Sequence, residues 1–69
     1  MKQPSYSLKV VPNPFGYGSA VSISMRGIYI GKFCAEELDW TIAQARAEGD
    51  KDYEYVLQKA IDLLTEEMR

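Results

Sequence analysis

Hydrophobic and polar residues alternate through the first half of the chain with the period of two that is typical of β-strands. This alternation predicts three strands, over residues 5–11, 20–25 and 28–33. Pro12 and Pro14 are expected to end the first strand, because proline cannot donate to a strand ladder. Arg26-Gly27 fits a two-residue hairpin loop between the second and third strands. The pattern therefore predicts an antiparallel meander.

The two-residue loop also predicts which residues of this hairpin face each other. We expect Met25 opposite Ile28, Ile23 opposite Ile30 and Val21 opposite Lys32. This register gathers the apolar side chains on one face, and a slip of one residue would scramble both faces. The second face is then expected to carry Ala20, Ser22, Ser24, Tyr29, Gly31 and Phe33.

The second half of the chain changes to the spacing of amphipathic helices. Cys34 lies where an N-cap would, and the stretch from Cys34 to Glu37 resembles a capping box with sulfur in place of the hydroxyl. The first helix is predicted over 35–48, stopped by Gly49. Leu38, Ile42 and Ala45 share one face, and Trp40, Ala43 and Ala47 lie nearly opposite. Because a helix that is apolar on two sides is usually covered on both, we expect a second contact there.

A second helix is predicted to begin after Asp50 or Asp52, either of which can cap it, and to end at about residue 68. Its apolar stripe consists of Tyr53, Leu57, Ala60, Ile61, Leu64 and Met68, widened by Val56 and Leu63. A mainly acidic stripe away from it consists of Asp50, Glu54, Gln58, Asp62 and Glu66. The chain is therefore predicted to form one α+β domain over 1–69, a three-stranded antiparallel β-meander followed by two α-helices packed on one face.

Size limits how such a domain can be stabilised. At 69 residues, a chain usually depends on a disulfide, a metal or a partner subunit. Cys34 is the only cysteine and there is no histidine, so neither an internal disulfide nor a metal is expected. Association with another chain, as a homodimer, is the remaining means of stabilisation.

The formal net charge of −2 conceals an uneven distribution. Residues 1–34 carry four Lys and Arg and no acid, whereas residues 35–69 carry all ten acids and four Lys and Arg, for formal charges of +4 and −6. We therefore expect a basic first half and an acidic second half.

The first residues lack a long apolar run, which argues against a signal peptide or a membrane span and favours a cytoplasmic protein.

The segment from Asn13 to Ser19, NPFGYGS, has the composition of a phosphate-binding loop. Its two glycines would form a dinucleotide fingerprint only before a helix, and a strand is predicted to follow them. The Lys-Ser/Thr of a P-loop is also missing. We interpret the segment as the connection between two strands, with Phe15 and Tyr17 as candidate contact residues.

Catalytic and metal sites are not indicated elsewhere. The acids from Asp50 to Glu54 resemble the start of an EF-hand loop, but Tyr55 and Ile61 stand where that loop requires Gly and Glu. Without histidine, Cys34 has no base that would make it a nucleophile. The sequence therefore predicts that the protein is not an enzyme and uses no cofactor.

Three aromatic residues are candidate partner contacts. Trp40 either packs beneath the second helix, against Val56 or Leu63, or anchors a partner. Tyr29 and Phe33 pose the same choice, because one face of the sheet in a two-layer protein has no helix over it.

In size, acidity and lack of catalytic groups the chain resembles the compact inhibitors that phages encode against bacterial defence, anti-CRISPR proteins among them. This resemblance implies a non-enzymatic protein that covers a surface of a larger protein partner, such as a nucleic-acid-binding complex. Its acidic helical face, with Glu54, Asp62 and Glu66, would compete for a basic groove, because rows of carboxylates imitate phosphates.

Residues 28–45 resemble the last strand and helix of the three-stranded DNA-binding domains of plant ethylene-response factors and integrase arm-binding domains. The matching residues are Tyr29, Ile30, Gly31, Phe33, Glu36 and Glu37. This resemblance implies an alternative function, nucleic-acid binding through the sheet. The cationic side chains that the strands offer for it are Lys9, Arg26 and Lys32. A third alternative is a dimer that sequesters a small nucleotide near Phe15 and Tyr17.

Overall fold

A computed structural model of the chain describes residues 4–14 and 16–67. Its elements are β1 (Tyr6–Pro12), β2 (Ser19–Met25), β3 (Ile28–Phe33), α1 (Ala35–Glu48) and α2 (Lys51–Glu67). The strands form one antiparallel sheet in the order β1-β2-β3, and both helices pack on it. The predicted α+β arrangement is confirmed, and each strand lies within one residue of its predicted bounds.

The β2–β3 hairpin turns at Arg26 and Gly27, as predicted. Both residues have positive φ angles, 54° and 78°, the combination that a type I′ turn requires. Met25 and Ile28 pair directly beside the turn. The turn therefore has the twist that suits two antiparallel strands.

Farther from the turn, the predicted register is wrong. Ile23 lies opposite Gly31 and Val21 opposite Phe33, where Ile30 and Lys32 were expected. The register shifts next to Ile23, where Ile30 is the extra residue of a bulge, and Gly31 has a φ of 154°. One extra residue places every side chain after it on the opposite face of the sheet. Phe33 therefore lies on the core face and not beside Tyr29.

The core lies between the sheet and the helices. Its buried residues are Val21, Ile23, Leu38, Ile42, Ala45, Val56, Leu57, Ala60 and Leu64. They include the predicted inner face of α1 and the centre of the predicted stripe of α2, while Met68 of that stripe lies outside the described residues. α2 contacts β1, β2 and α1, whereas α1 contacts α2 and β3.

Local capping sets the ends of the helices. At the start of α1, Glu37 Oε1 accepts a hydrogen bond from the Cys34 backbone N–H at 3.5 Å, the carboxylate half of the predicted capping box. α1 ends at Gly49, as predicted, with a left-handed φ of 74°. Of the two candidate caps of α2, Asp50 is the one that caps the helix, since its Oδ1 accepts a hydrogen bond from the Tyr53 N–H at 3.1 Å.

Within residues 4–14 and 16–67, no helix is long and apolar enough to cross a bilayer.

Replacing Gly31 with Ala is expected to lower the free energy of unfolding by about 1 to 3 kcal/mol, because an L-residue is strained at this φ. The added methyl group would lie 3.6 Å from the Phe33 ring, an ordinary contact, so the backbone causes the loss. Urea unfolding followed by circular dichroism measures it. Gly27→Asn is the control, because Asn tolerates a left-handed φ. Equal losses in the two variants would contradict the strained bulge.

Candidate interaction surfaces

Trp40 lies on the outer face of α1, where 65% of it is exposed. Ala43 and Ala47, one and two turns farther along the same side, are also exposed. We call these three residues the Trp40 face. Burial of Trp40 beneath α2 is therefore excluded, and the second apolar side of α1 has no cover within the described chain.

Two exposed carboxylates border the Trp40 face. Glu36 precedes Trp40 by one helical turn on the same side, and Asp39 lies between Trp40 and the side of α1 that meets α2. The ion pairs among the described residues involve other acids, so both groups are available to an external cation. The surroundings of Trp40 are thus negatively charged.

The acidic stripe of α2 is only partly available to a partner. Glu54 accepts a hydrogen bond from Arg46 at 2.7 Å, and its side chain is 34% exposed. Asp62 accepts from Gln58 at 3.2 Å, a neutral donor that leaves its charge uncompensated. Glu66 is exposed. Of the three acids predicted to bind a partner, Asp62 and Glu66 therefore keep their charge free.

The outer face of the sheet carries a row of polar side chains across all three strands. Lys9 pairs with Ser22, which pairs with Lys32 on its other side. The neighbouring row is Ser7, Ser24 and Tyr29, and Tyr29 is 58% exposed. We call these six residues the open sheet face. It is weakly basic, because residues 1–34 contain no acid.

Two residues predicted to belong to a sheet interface lie elsewhere. Phe33 is half-buried and packs on the core. Arg26, in the hairpin turn, forms an ion pair with Asp52 in the first turn of α2. Of the predicted sheet cations within the described residues, Lys9 and Lys32 remain on the open sheet face.

The segment NPFGYGS joins β1 to β2, which confirms its interpretation as a strand connection. The Asn13 N–H donates to the Gly18 carbonyl at 3.0 Å, and the Asn13 side chain donates to the Tyr17 carbonyl at 3.3 Å. Gly18 has a φ of 89°, which favours glycine. Tyr17 is fully exposed, and Phe15 lies outside the described residues.

A groove of about 500 Å³ lies between this loop, the start of α1 and Leu64 of α2. Tyr17, Ser19, Cys34 and Glu36 contribute to its walls. A phosphate is disfavoured there for an electrostatic reason. The Glu37 carboxylate already accepts the Cys34 N–H at the helix start, and Glu36 adds a second negative charge at the wall.

A smaller groove of about 180 Å³ continues along the seam between the two helices. It shares Ala35 and Leu64 with the larger groove and is also lined by Asp39 and Ile61. We call the two together the seam groove. The hydrophobic pattern of the sequence does not indicate the seam groove, because its walls come from separate elements. Helical spacing places Glu36 beside Trp40, which was the one available signal.

The pKa of Tyr53, a residue that packs against the core, is raised. Burial raises the pKa of the Tyr53 phenol, and the neighbouring Asp50 carboxylate raises it further. Tyr53 packs against the core at the start of α2, away from the seam groove. In the part of the chain that the structure describes, no three Cys, Asp or Glu side chains are grouped to hold a metal ion.

Glu54→Gln is expected to lower the free energy of unfolding by up to about 1 kcal/mol, because it removes the ion pair with Arg46. Glu66→Gln is the matched control on the same helix and should leave stability unchanged. Urea unfolding at low and high salt measures both, and salt should reduce the difference. Equal effects in the two variants would show that the ion pair between Arg46 and Glu54 does not contribute to stability.

The surfaces of this chain differ clearly in chemistry. The Trp40 face and the seam groove are apolar with an acidic border, and the open sheet face is polar and weakly basic. Comparison of the chain with protein families, with curated proteins and with solved structures gave no match.

Proposed function

We propose that this chain is a small non-enzymatic binding protein that covers a surface of a larger protein partner, with the Trp40 face as its main contact. The observation that carries the proposal is a tryptophan that is 65% exposed on a helix whose other side is already in the core. Tryptophan is enriched among the residues that dominate the energy of interfaces. Ala43 and Ala47 support this role, because small side chains let a partner approach closely.

The acidic character of the helices favours a partner with a basic surface. The form of this function that we propose is an anti-CRISPR-like phage inhibitor, whose carboxylates occupy the place of phosphates on a nucleic-acid-binding complex. Asp62 and Glu66 suit this role better than Glu54, whose charge is compensated by Arg46. Tyr29 offers a secondary contact on the other side of the molecule.

A homodimer is also part of the proposal. The edge of β1 suits a second copy, because this strand runs for seven residues at the side of the sheet and pairs with β2 in regular register. The other edge strand, β3, is interrupted by the bulge at Ile30. Strand pairing at β1 would leave the Trp40 face free for a protein partner.

Photo-cross-linking tests the Trp40 face. Benzoylphenylalanine in place of Trp40 is expected to capture a defined protein in cells of the chain's source, because position 40 would lie within the interface. The same group at Ile28, an exposed position beside the hairpin turn, is the control and should capture far less. A captured nucleic-acid-binding complex would support the inhibitor form. No capture at position 40, or equal capture at both positions, would contradict the proposed contact.

A second candidate function is nucleic-acid binding through the open sheet face. The observation that favours it is the row of Lys9, Ser22 and Lys32, in which the backbones of the two lysines lie about 10 Å apart across two strand spacings. Tyr29 in the next row provides a ring on which a base can stack. The third alternative, a nucleotide near Tyr17, is opposed by the carboxylates at the adjoining groove.

Light scattering behind a sizing column separates these candidates when it is run with and without short duplex DNA in low salt. A protein-binding homodimer is expected at twice the chain mass of 7.8 kDa, unchanged by DNA. A DNA-dependent shift that Lys9→Ala/Lys32→Ala abolishes would instead support the open sheet face. Glu66→Ala/Glu67→Ala is the control that leaves this face intact.

A further inference from the structure

The seam groove and the Trp40 face form one continuous surface on α1. Ala35 lines both parts of the groove, Asp39 lines its narrow part, and Glu36 lines its wide part. Glu36 lies one helical turn before Trp40 on the same side. Moving around the helix, the surface therefore passes from an apolar groove to two carboxylates and then to an exposed indole.

Each part of this surface suits a different part of an amphipathic partner. The groove is partly lined by Ala35, Ile61 and Leu64, which favour an apolar side chain. Glu36 and Asp39 are exposed and form no ion pair with the described residues, so they favour Lys or Arg. The Trp40 ring favours the aliphatic stem or the charge of such a cation.

We propose that the seam groove receives an apolar side chain from a basic amphipathic helix of the protein partner, while neighbouring Lys or Arg residues pair with Glu36 and Asp39. This inference rests on the proposed function and identifies the chemistry of the partner. Charge complementarity selects this occupant. A second copy would bring the same carboxylates together, and a nucleic acid would place phosphates against them.

The acids that border the seam groove are Glu36 and Asp39 of α1. On α2, Glu54 is paired with Arg46, and Asp52 is paired with Arg26. The remaining free acids of α2, such as Glu66, have no place among the groove-lining residues. Glu48 and Glu67 make the matched control, because both are exposed and neither lines the groove. Reversing their charge changes the net charge equally.

A synthetic helical peptide of Leu and Lys is the probe. We expect it to shift the amide NMR signals of Ala35, Glu36 and Asp39 in the full chain. Two counterparts, with every Lys replaced by Glu or every Leu replaced by Ser, are expected to bind at least tenfold more weakly. Binding of the Ser counterpart as tight as that of the Leu/Lys peptide would overturn the groove, because charge alone would then explain the affinity.

Variants of the chain assign the contacts. Glu36→Lys/Asp39→Lys is expected to weaken binding of the Leu/Lys peptide at least tenfold, and Glu48→Lys/Glu67→Lys less than twofold. Ala35→Phe fills the groove without changing charge and should also weaken binding. Glu36→Gln/Asp39→Asn provides a milder loss should the double reversal disturb α1, which circular dichroism would reveal. Equal effects of the two charge reversals, or NMR shifts confined to α2, would overturn the inference.

The outcome is separable from that of the proposed function. If the peptide does not bind but cross-linking at position 40 captures a partner, the seam groove inference is wrong and the proposed function stands. If cross-linking captures nothing while the peptide binds as described, the groove is a basic-helix site and the Trp40 face is not the main contact.

Discussion

The apolar stripe of α2 is the interaction on which the rest of this small protein depends. This helix contacts β1, β2 and α1, so it joins the sheet to the other helix. Val56, Leu57, Ala60 and Leu64 of α2 are all buried. A chain of 69 residues without a disulfide has one core and little stability to spare. The packing of α2 therefore decides which faces of the other elements remain outside.

The faces left outside differ in charge. The open sheet face carries Lys9 and Lys32, whereas the outer surfaces of the helices carry most of the acids. Among the residues that the structure describes, two ion pairs connect the elements, from Arg26 to Asp52 and from Arg46 to Glu54. Exposed pairs of this kind contribute at most about 1 kcal/mol each. Their main effect on recognition is that they neutralise the carboxylates of Asp52 and Glu54, which the sequence alone does not show to be paired.

Much of the fold was predictable because its determinants are local. Alternation with a period of two indicated the strands, and helical spacing indicated which faces of α1 and α2 are buried. The turn at Arg26-Gly27, the stop at Gly49 and the cap at Asp50 each depend on the conformational preference of one or two residues. For the candidate surfaces, sequence spacing predicted that Trp40 lies either in the core or at an interface, but it did not distinguish the two positions.

By itself, then, the sequence determined the type, order and ends of the elements, because these depend on neighbours along the chain. Tertiary structure decided the rest. The bulge at Ile30 moved Phe33 to the core face, since an extra residue interrupts a periodic pattern without leaving a separate signal in it. The packing of α1 against α2 left Trp40 exposed and created the groove beside Asp39. These features depend on residues far apart in the chain, and periodicity does not report which distant faces meet.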